Sequence, residues 1–479
     1  MLYFSTRDPG RNPRSFSDIV LEGLAPDGGL YVPERIPPLD MPTLQQWSGK
    51  TYNEIATELL HLYAPELEAE MDCSFSRLMA DSTRNFRSPE VAPLQQLDDS
   101  LIYTGELFHG PTYSFKDIAL QFLGQVFERL LQKQGRKLTL LGATSGDTGG
   151  AAIYGVRGMN NIQLTILHPH NAISEVQRKQ MCSVRDNNIC NIAVKGNFDQ
   201  CQSMVKEIMG RGGNEPGIPQ LGAINSINWG RILAQMTYYF TLYFSVIARR
   251  SDIRQGDPVR FVVPTGNFGN VLAGYFAKRM GLPIQLVVAT NRNDILHRFI
   301  AHNSYQAGDR VEPSFAPAMD IVHPSNFERY LWFLFDGDDS MLSHFVRPAK
   351  EGKRQQLNKE QHARLVADFQ SHCADDTDIL QAISDCYAKY SYILDPHAAC
   401  AYHASIRLPQ DMPAICLVTA HPAKFPEVFQ ALRQSKTTAL RPEPEHPAGL
   451  DFSAAEEHYS VIEHDTETLL QYLQQNVWS

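Results

Sequence analysis

Segments that read as strands, each closed by a turn of small residues and followed by a helical pattern, recur along the chain and constrain its fold more than any other feature. Residues 138–141 run into a Gly/Ser/Thr-rich turn at 142–149 and a helical stretch over 151–157. Residues 162–167 lead to a helix near 174–184, and 191–194 precede a helical 199–209. Residues 259–263 enter the turn Pro264-Thr265-Gly266-Asn267-Phe268-Gly269-Asn270 and a helix through about Met280, while 283–289 and 414–419 add further β-rich runs. Strands that alternate with helices pair in parallel and cover both sheet faces with helices. The expected fold is therefore α/β, with two open parallel-sheet domains bearing helices on both faces.

At 479 residues the chain exceeds one ordinary core, so several domains are expected. Residues 1–90 are proline-punctuated and dominated by helical patterns such as 52–62, and are expected to form a mostly helical N-terminal domain. Residues 91–435 form the main α/β body, with a smaller part at roughly 115–225. Residues 436–479 read as a surface linker and a final amphipathic helix near 466–475.

The formal charge of -10 is spread without a block of like sign, which argues against nucleic acid or a lipid surface and for a small-molecule partner. The longest apolar stretch, 232–248, is broken by Gln235 and Thr237 and follows Arg231, so it reads as a buried helix rather than a membrane span. The eight cysteines show no Cys-x-x-Cys pair and no zinc spacing, and the amino terminus lacks the pattern of an export signal. Reduced thiols in the cytoplasm, and no metal, are expected.

Three segments carry chemistry. The turn at 264–270 lies between an apolar strand and a helix, where unpaired amide N–H groups and the helix dipole favour a phosphate; Gly266 and Gly269 let the backbone approach it. It is neither a Walker loop nor a dinucleotide turn, and taken alone it also reads as an ordinary strand-to-helix turn. The turn Ala143-Thr144-Ser145-Gly146-Asp147-Thr148-Gly149-Gly150 offers hydroxyls and amides to a carboxylate, or simply caps the next helix. Ser145 lacks the flanking glycines of a hydrolase elbow. Lys116, in His109-Gly110-Pro111-Thr112-Tyr113-Ser114-Phe115-Lys116-Asp117, is the third. A lysine amine forms a Schiff base with an aldehyde, and beside a phosphate turn the matching aldehyde is pyridoxal 5'-phosphate; a lysine at an apolar helix start can also merely snorkel.

Taken in order, Ser114-Phe115-Lys116-Asp117, Ser145-Gly146-Asp147-Thr148-Gly149, Asn225-Ser226-Ile227-Asn228-Trp229-Gly230-Arg231, the 264–270 turn and Thr419-Ala420-His421-Pro422-Ala423-Lys424-Phe425 resemble the threonine synthase family. Ser17-Asp18-Ile19-Val20 and Gly28-Gly29-Leu30-Tyr31-Val32-Pro33 resemble its N-terminal domain, so the likeness runs from Tyr3 to Phe429. It implies a fold type II, tryptophan-synthase-β-like enzyme that uses pyridoxal phosphate to convert O-phosphohomoserine and water to threonine and phosphate, as a monomer or homodimer.

By the same likeness, Lys116 bonds the cofactor aldehyde and, once displaced by the substrate amine, becomes the base at the α-carbon. Gly266, Asn267, Phe268, Gly269 and Asn270 hold the cofactor phosphate, and Thr419 presents a neutral hydroxyl to the pyridine nitrogen. Ser145, Gly146, Asp147 and Thr148 meet substrate or cofactor oxygens, and are taken as substrate-binding. Arg231 and Lys424 are the candidates for the substrate phosphate, with Asn228 adding an amide contact. The family's Leu-Ala-Phe-Lys-Asp is replaced here by Tyr113-Ser114-Phe115-Lys116-Asp117, which retains lysine and aspartate and alters the pocket near Tyr113. The alternatives are a phospholyase that releases a 2-keto acid from the same substrate, a Ser/Thr dehydratase, which needs no second phosphate pocket, and a cofactor-binding protein without turnover.

Overall fold

Strands β1 (Tyr3–Ser5) and β2 (Tyr31–Pro33) pair antiparallel within the N-terminal region, an addition to the helices expected there. Those helices include Tyr52–Tyr63, whose start carries a capping box between Thr51 and Glu54, and Phe75–Thr83. The computed structural model describes residues 1–479 apart from 99, 145, 213, 214, 309, 436–440, 453 and 479.

The main body opens with β3 (Leu94–Gln96) and β4 (Ile102–Glu106), passes to β5 (Leu138–Ala143), β6 (Ile162–Pro169), β7 (Ile189–Lys195) and β8 (Leu221–Ala223), and returns through β9 (Val259–Pro264), β10 (Ile284–Thr290), β11 (Phe369–Cys373) and β12 (Ala414–Val418). One sheet has the order β11-β10-β9-β12-β4-β3. Its strands are parallel except at one edge, where β3 runs antiparallel to β4, a departure from the all-parallel expectation. A short link joins β3 to β4, and only an antiparallel pair closes over so few residues. Every residue of β9 and β12 is buried, as central strands covered on both faces require.

The second sheet has the order β13-β7-β6-β5-β8, all parallel. Its edge strand β13 (Ser460–Glu463) comes from the C-terminal segment, and the following helix Thr466–Asn476 packs on helix Phe198–Arg211. The expected linker-and-helix tail thus supplies a strand of the smaller domain. Arg178 grips Glu457 with two hydrogen bonds, of 2.7 and 3.0 Å, and so fastens this segment to helix Glu175–Cys182.

Helix Trp229–Arg249 contains the long apolar stretch and is buried along most of its length, touching both the N-terminal helices and helix Lys116–Gln134. Among the described residues no helix is long and apolar enough to cross a membrane. Helices Lys116–Gln134 and Asp147–Val156 come together through Gly124 and Gly155: a Cβ on Gly155 would lie 2.6 Å from the Leu120 carbonyl oxygen. Two glycines therefore bring the helix begun by Lys116 against the helix begun by the second anion turn.

Candidate functional site

The ends of β9 and β12 and the starts of the two anion-turn helices and of helix Lys116–Gln134 converge on one cleft. It encloses about 680 Å³, counting space open to solvent, and is lined by Lys116, Thr148, Arg231, Gln235, the 264–270 turn, His397 and Thr419 among others. A smaller apolar crevice lies beneath the N-terminal helices, far poorer in polar groups and away from these turns.

Lys116 is set beside Thr419 by backbone pairing. The Phe115 amide donates to the Thr419 carbonyl at 2.8 Å, His421 N donates to Tyr113 O at 3.1 Å, and Ser114 bridges Ala420. Asp117 ties the loop ahead of it, its carboxylate accepting from the Thr112 amide at 2.8 Å and the Thr112 hydroxyl at 2.7 Å; burial nevertheless pushes its pKa up to about 6. Lys116 Nζ makes no hydrogen bond or ion pair among the described residues. Burial pushes its pKa down to about 8; Asp147 opposes this shift, and Arg231 and Lys424 add to it.

The first turn is shaped for close approach by an anion. Helix Gly269–Met280 begins without a side-chain cap, so its first amides have no partner within the helix. A Cβ at Gly266 would sit 2.5 Å from the Ala318 carbonyl oxygen, which leaves glycine as the residue that fits. Phe268 holds φ at +65°, and its buried ring packs on Phe327, Tyr330 and Phe369, which offsets the strain of that left-handed conformation. Phe268 therefore offers the cleft its backbone, not its ring.

Asn267 accepts from the Ser325 hydroxyl at 3.1 Å. The Asn270 side-chain oxygen takes the hydroxyls of Tyr238 and Tyr239 at 2.6 and 2.8 Å, while its Nδ2 is buried without a partner. Arg231, 4% exposed, likewise leaves Nε and Nη1 unpaired, and burial pushes its pKa down to about 10, still a cation at neutral pH. Buried donors without acceptors are costly, and three of them, on two side chains of one cleft, mark where anionic oxygens belong. The amine, the uncapped turn, the Thr419 hydroxyl and these orphaned donors fit a phosphorylated aldehyde.

The remaining expected residues do not all face the cleft. Lys424 is fully enclosed, with its ammonium on Asp147 Oδ1 at 2.6 Å, Thr112 O at 2.8 Å and Gln180 Oε1 at 3.3 Å, so it has no donor left for a substrate phosphate. Asp147 also accepts from Gln177 at 3.0 Å; burial alone would raise its pKa, but Lys424 and Lys116 outweigh it and hold the carboxyl below the usual range. The Gly146 amide is taken by Thr144 Oγ1 at 3.0 Å, so Thr144 caps this turn. Asn228 donates to Val20 O at 2.7 Å and accepts from the Gly230 amide, which makes it a helix cap and a tie to the N-terminal domain, and it is not among the residues that line the cleft. Ser145 lies outside the described residues. Of that tetrad Thr148 lines the cleft.

His397 lines the cleft, with Asp395 behind it, and neither was expected from sequence. Asp395 caps helix Pro396–Ser405 and accepts from His397 Nδ1 at 2.9 Å; His397 Nε2 accepts from the Ala318 amide at 3.2 Å. These bonds assign the ring proton to Nδ1 and hold residues 317–319 against Gly266. The Asp-Pro-His triplet was legible as a capped helix start, but not as a wall of the cleft.

Comparison with known proteins identifies the family. Family models described as threonine synthase N terminus, pyridoxal-phosphate dependent enzyme, and threonine synthase C-terminal match residues 2–76, 83–341 and 398–473. The threonine synthase of Schizosaccharomyces pombe is 44% identical, over 88% of this chain and 87% of that one. The crystal structure of threonine synthase from yeast superposes with a TM-score of 0.91 at 38% identity, covering 99% of this chain and 98% of that one. The pyridoxal-phosphate-bound threonine synthase of Brucella melitensis does so with a TM-score of 0.90 at 36% identity, covering 99% of each.

Proposed function

The chain belongs to the threonine synthase family and is a pyridoxal-phosphate-dependent lyase of fold type II, and from that premise we propose how its residues divide the conversion of O-phospho-L-homoserine and water to L-threonine and phosphate. The observation that carries the proposal is a lysine amine with no partner among the described residues, set beside Thr419 and facing an uncapped glycine turn in one cleft.

Bound pyridoxal phosphate supplies a conjugated sink for electrons released at the substrate's α- and β-carbons. Lys116 would have two roles: its amine would hold the cofactor's aldehyde carbon, and the same nitrogen, when free, would take the substrate's α-proton. A pKa near 8 suits both, because about a tenth of the amine is neutral at pH 7, far more than for an ordinary lysine. The backbone of Gly266 to Asn270 and the Asn270 amide would hold the cofactor phosphate, and the Thr419 hydroxyl would serve the pyridine nitrogen as a neutral partner. Thr148 orients the substrate.

Arg231 takes the substrate phosphate, with its two unpaired N–H donors directed to the leaving group, and stabilises the charge that grows on those oxygens as phosphate departs from the γ-carbon. A β-proton leaves as phosphate is expelled, and water at the β-carbon, with protons returned to the γ- and α-carbons, completes threonine. Supply of O-phosphohomoserine to the purified holoenzyme tests the reading: threonine and phosphate in equal amounts support it, whereas a 2-keto acid as main product identifies a phospholyase. A cytoplasmic monomer or homodimer completes the proposal, in keeping with eight free cysteines.

A further inference from the structure

Lys424 and Asp147 stand unused in that division of labour, although both are buried beside it. The ion pair measures 2.6 Å, with Lys424 fully enclosed and the Asp147 side chain 6% exposed. It joins two domains: Lys424 lies in the short helical turn Pro422–Lys424 after β12, and Asp147 opens the helix after β5. Gln177 and Gln180, both on helix Glu175–Cys182, each hold one end.

A buried ion pair is weak evidence for stability, because desolvation of two charges cancels much of their attraction. The surroundings suggest another use. The charged groups that act on Lys116 are Asp147 from one domain, Lys424 from the other and Arg231 from helix Trp229–Arg249. The neighbouring Asp117 is occupied by Thr112 and Ser114. Asp147 is thus a carboxylate between two lysines, Lys424 and Lys116, and whichever one it pairs with remains charged.

We propose that Lys424 is a positioning residue that engages the Asp147 carboxylate in a fixed ion pair, so that Asp147 does not hold Lys116 as an ammonium and the reactive amine stays available. Without Lys424, Asp147 draws a proton onto Lys116; without Asp147, Lys424 and Arg231 together drive the proton off. The two losses therefore act on Lys116 with opposite sign, which a merely structural latch does not require. The inference rests on the assignment of Lys116 as the cofactor-bearing lysine.

The test reads Lys116 in cofactor-free protein: the rate of acylation of its amine is followed against pH, with the Lys116 peptide quantified by mass spectrometry. The native midpoint is expected near 8. Lys424→Met raises it by about one pH unit and Asp147→Asn lowers it by about one, the low end of the effect of an adjacent buried charge. The double variant returns toward the native midpoint, and Lys424→Arg leaves it in place. Midpoints unmoved in both single variants, or moved in the same direction, overturn the proposal. If Asp147→Asn does not fold, Lys424→Met against Lys424→Arg decides alone: a rise confined to the methionine variant supports the proposal, and equal midpoints overturn it. Because the readout needs no cofactor, it is separate from the attachment test, in which Lys116→Ala abolishes the cofactor's covalent absorbance band.

Discussion

Replacement of Arg231 by Met is expected to strengthen the cofactor-free fold and cripple the enzyme at once. The guanidinium is 4% exposed, carries no described ion pair and leaves Nε and Nη1 without acceptors. Unsatisfied buried donors cost about 1–3 kcal/mol each, so two place a gross burden of about 2–6 kcal/mol on the empty site. Methionine keeps most of the stem's packing and removes both donors and the charge, which gives a net gain of about 1–4 kcal/mol, in line with other buried charges replaced by apolar residues. In turnover the same two donors become charge-assisted bonds to phosphate, worth about 1.5–3 kcal/mol each. Loss of both lowers kcat/KM by at least a hundredfold, since each 1.4 kcal/mol is about tenfold. Chemical denaturation of the cofactor-free protein and steady-state phosphate release give the two numbers, and inhibition by inorganic phosphate is expected to weaken in parallel. A variant that unfolds more easily and keeps its native KM would refute the argument, because Arg231 would then be a structural residue.

Gly266→Ala places a methyl 2.5 Å from the Ala318 carbonyl oxygen, so cofactor affinity is expected to fall by about tenfold or more in an absorbance titration, with the fold retained by circular dichroism. His397→Ala frees the Ala318 amide and loosens residues 317–319 over the same turn; the expected loss of cofactor affinity is about five- to tenfold, and unchanged affinity would remove His397 from the site. Cofactor uptake by the empty protein needs the neutral Lys116 amine. Because burial lowers that pKa, the uptake rate is expected to rise about tenfold per pH unit up to about 8 and then level, and a rise continuing to pH 10 would contradict the shift. Thr419→Asp puts a carboxylate opposite the pyridine nitrogen and is expected to move the cofactor's absorbance maximum and raise the share of keto acid among products; an unaltered spectrum would remove that contact.

What the sequence made legible is local. A strand, a glycine turn and a helix lie next to one another in the chain, so the 264–270 turn, the second turn and the lysine opening helix Lys116–Gln134 stood out as candidates from the residues, and the family resemblance chose among their readings. What it hid is set by distant segments. Lys424 looked like a free cation, since nothing near it in the chain announces that Asp147, Thr112 and Gln180 will enclose it. Asn228 looked like a ligand, but the Val20 carbonyl that claims it comes from the N-terminal domain. The four-residue β13 has mixed exposure and becomes a strand only because β7 offers an open edge. His397 acquires its role from Ala318, which approaches through a loop whose course no periodicity encodes.

The most direct test of the central claim is borohydride reduction of the holoenzyme, which makes the cofactor linkage permanent, followed by digestion and mass spectrometry. The account predicts one pyridoxyl group per chain, carried on Lys116. A label on any other lysine, or a protein that keeps the cofactor and its activity with Lys116 unmodified, would contradict it.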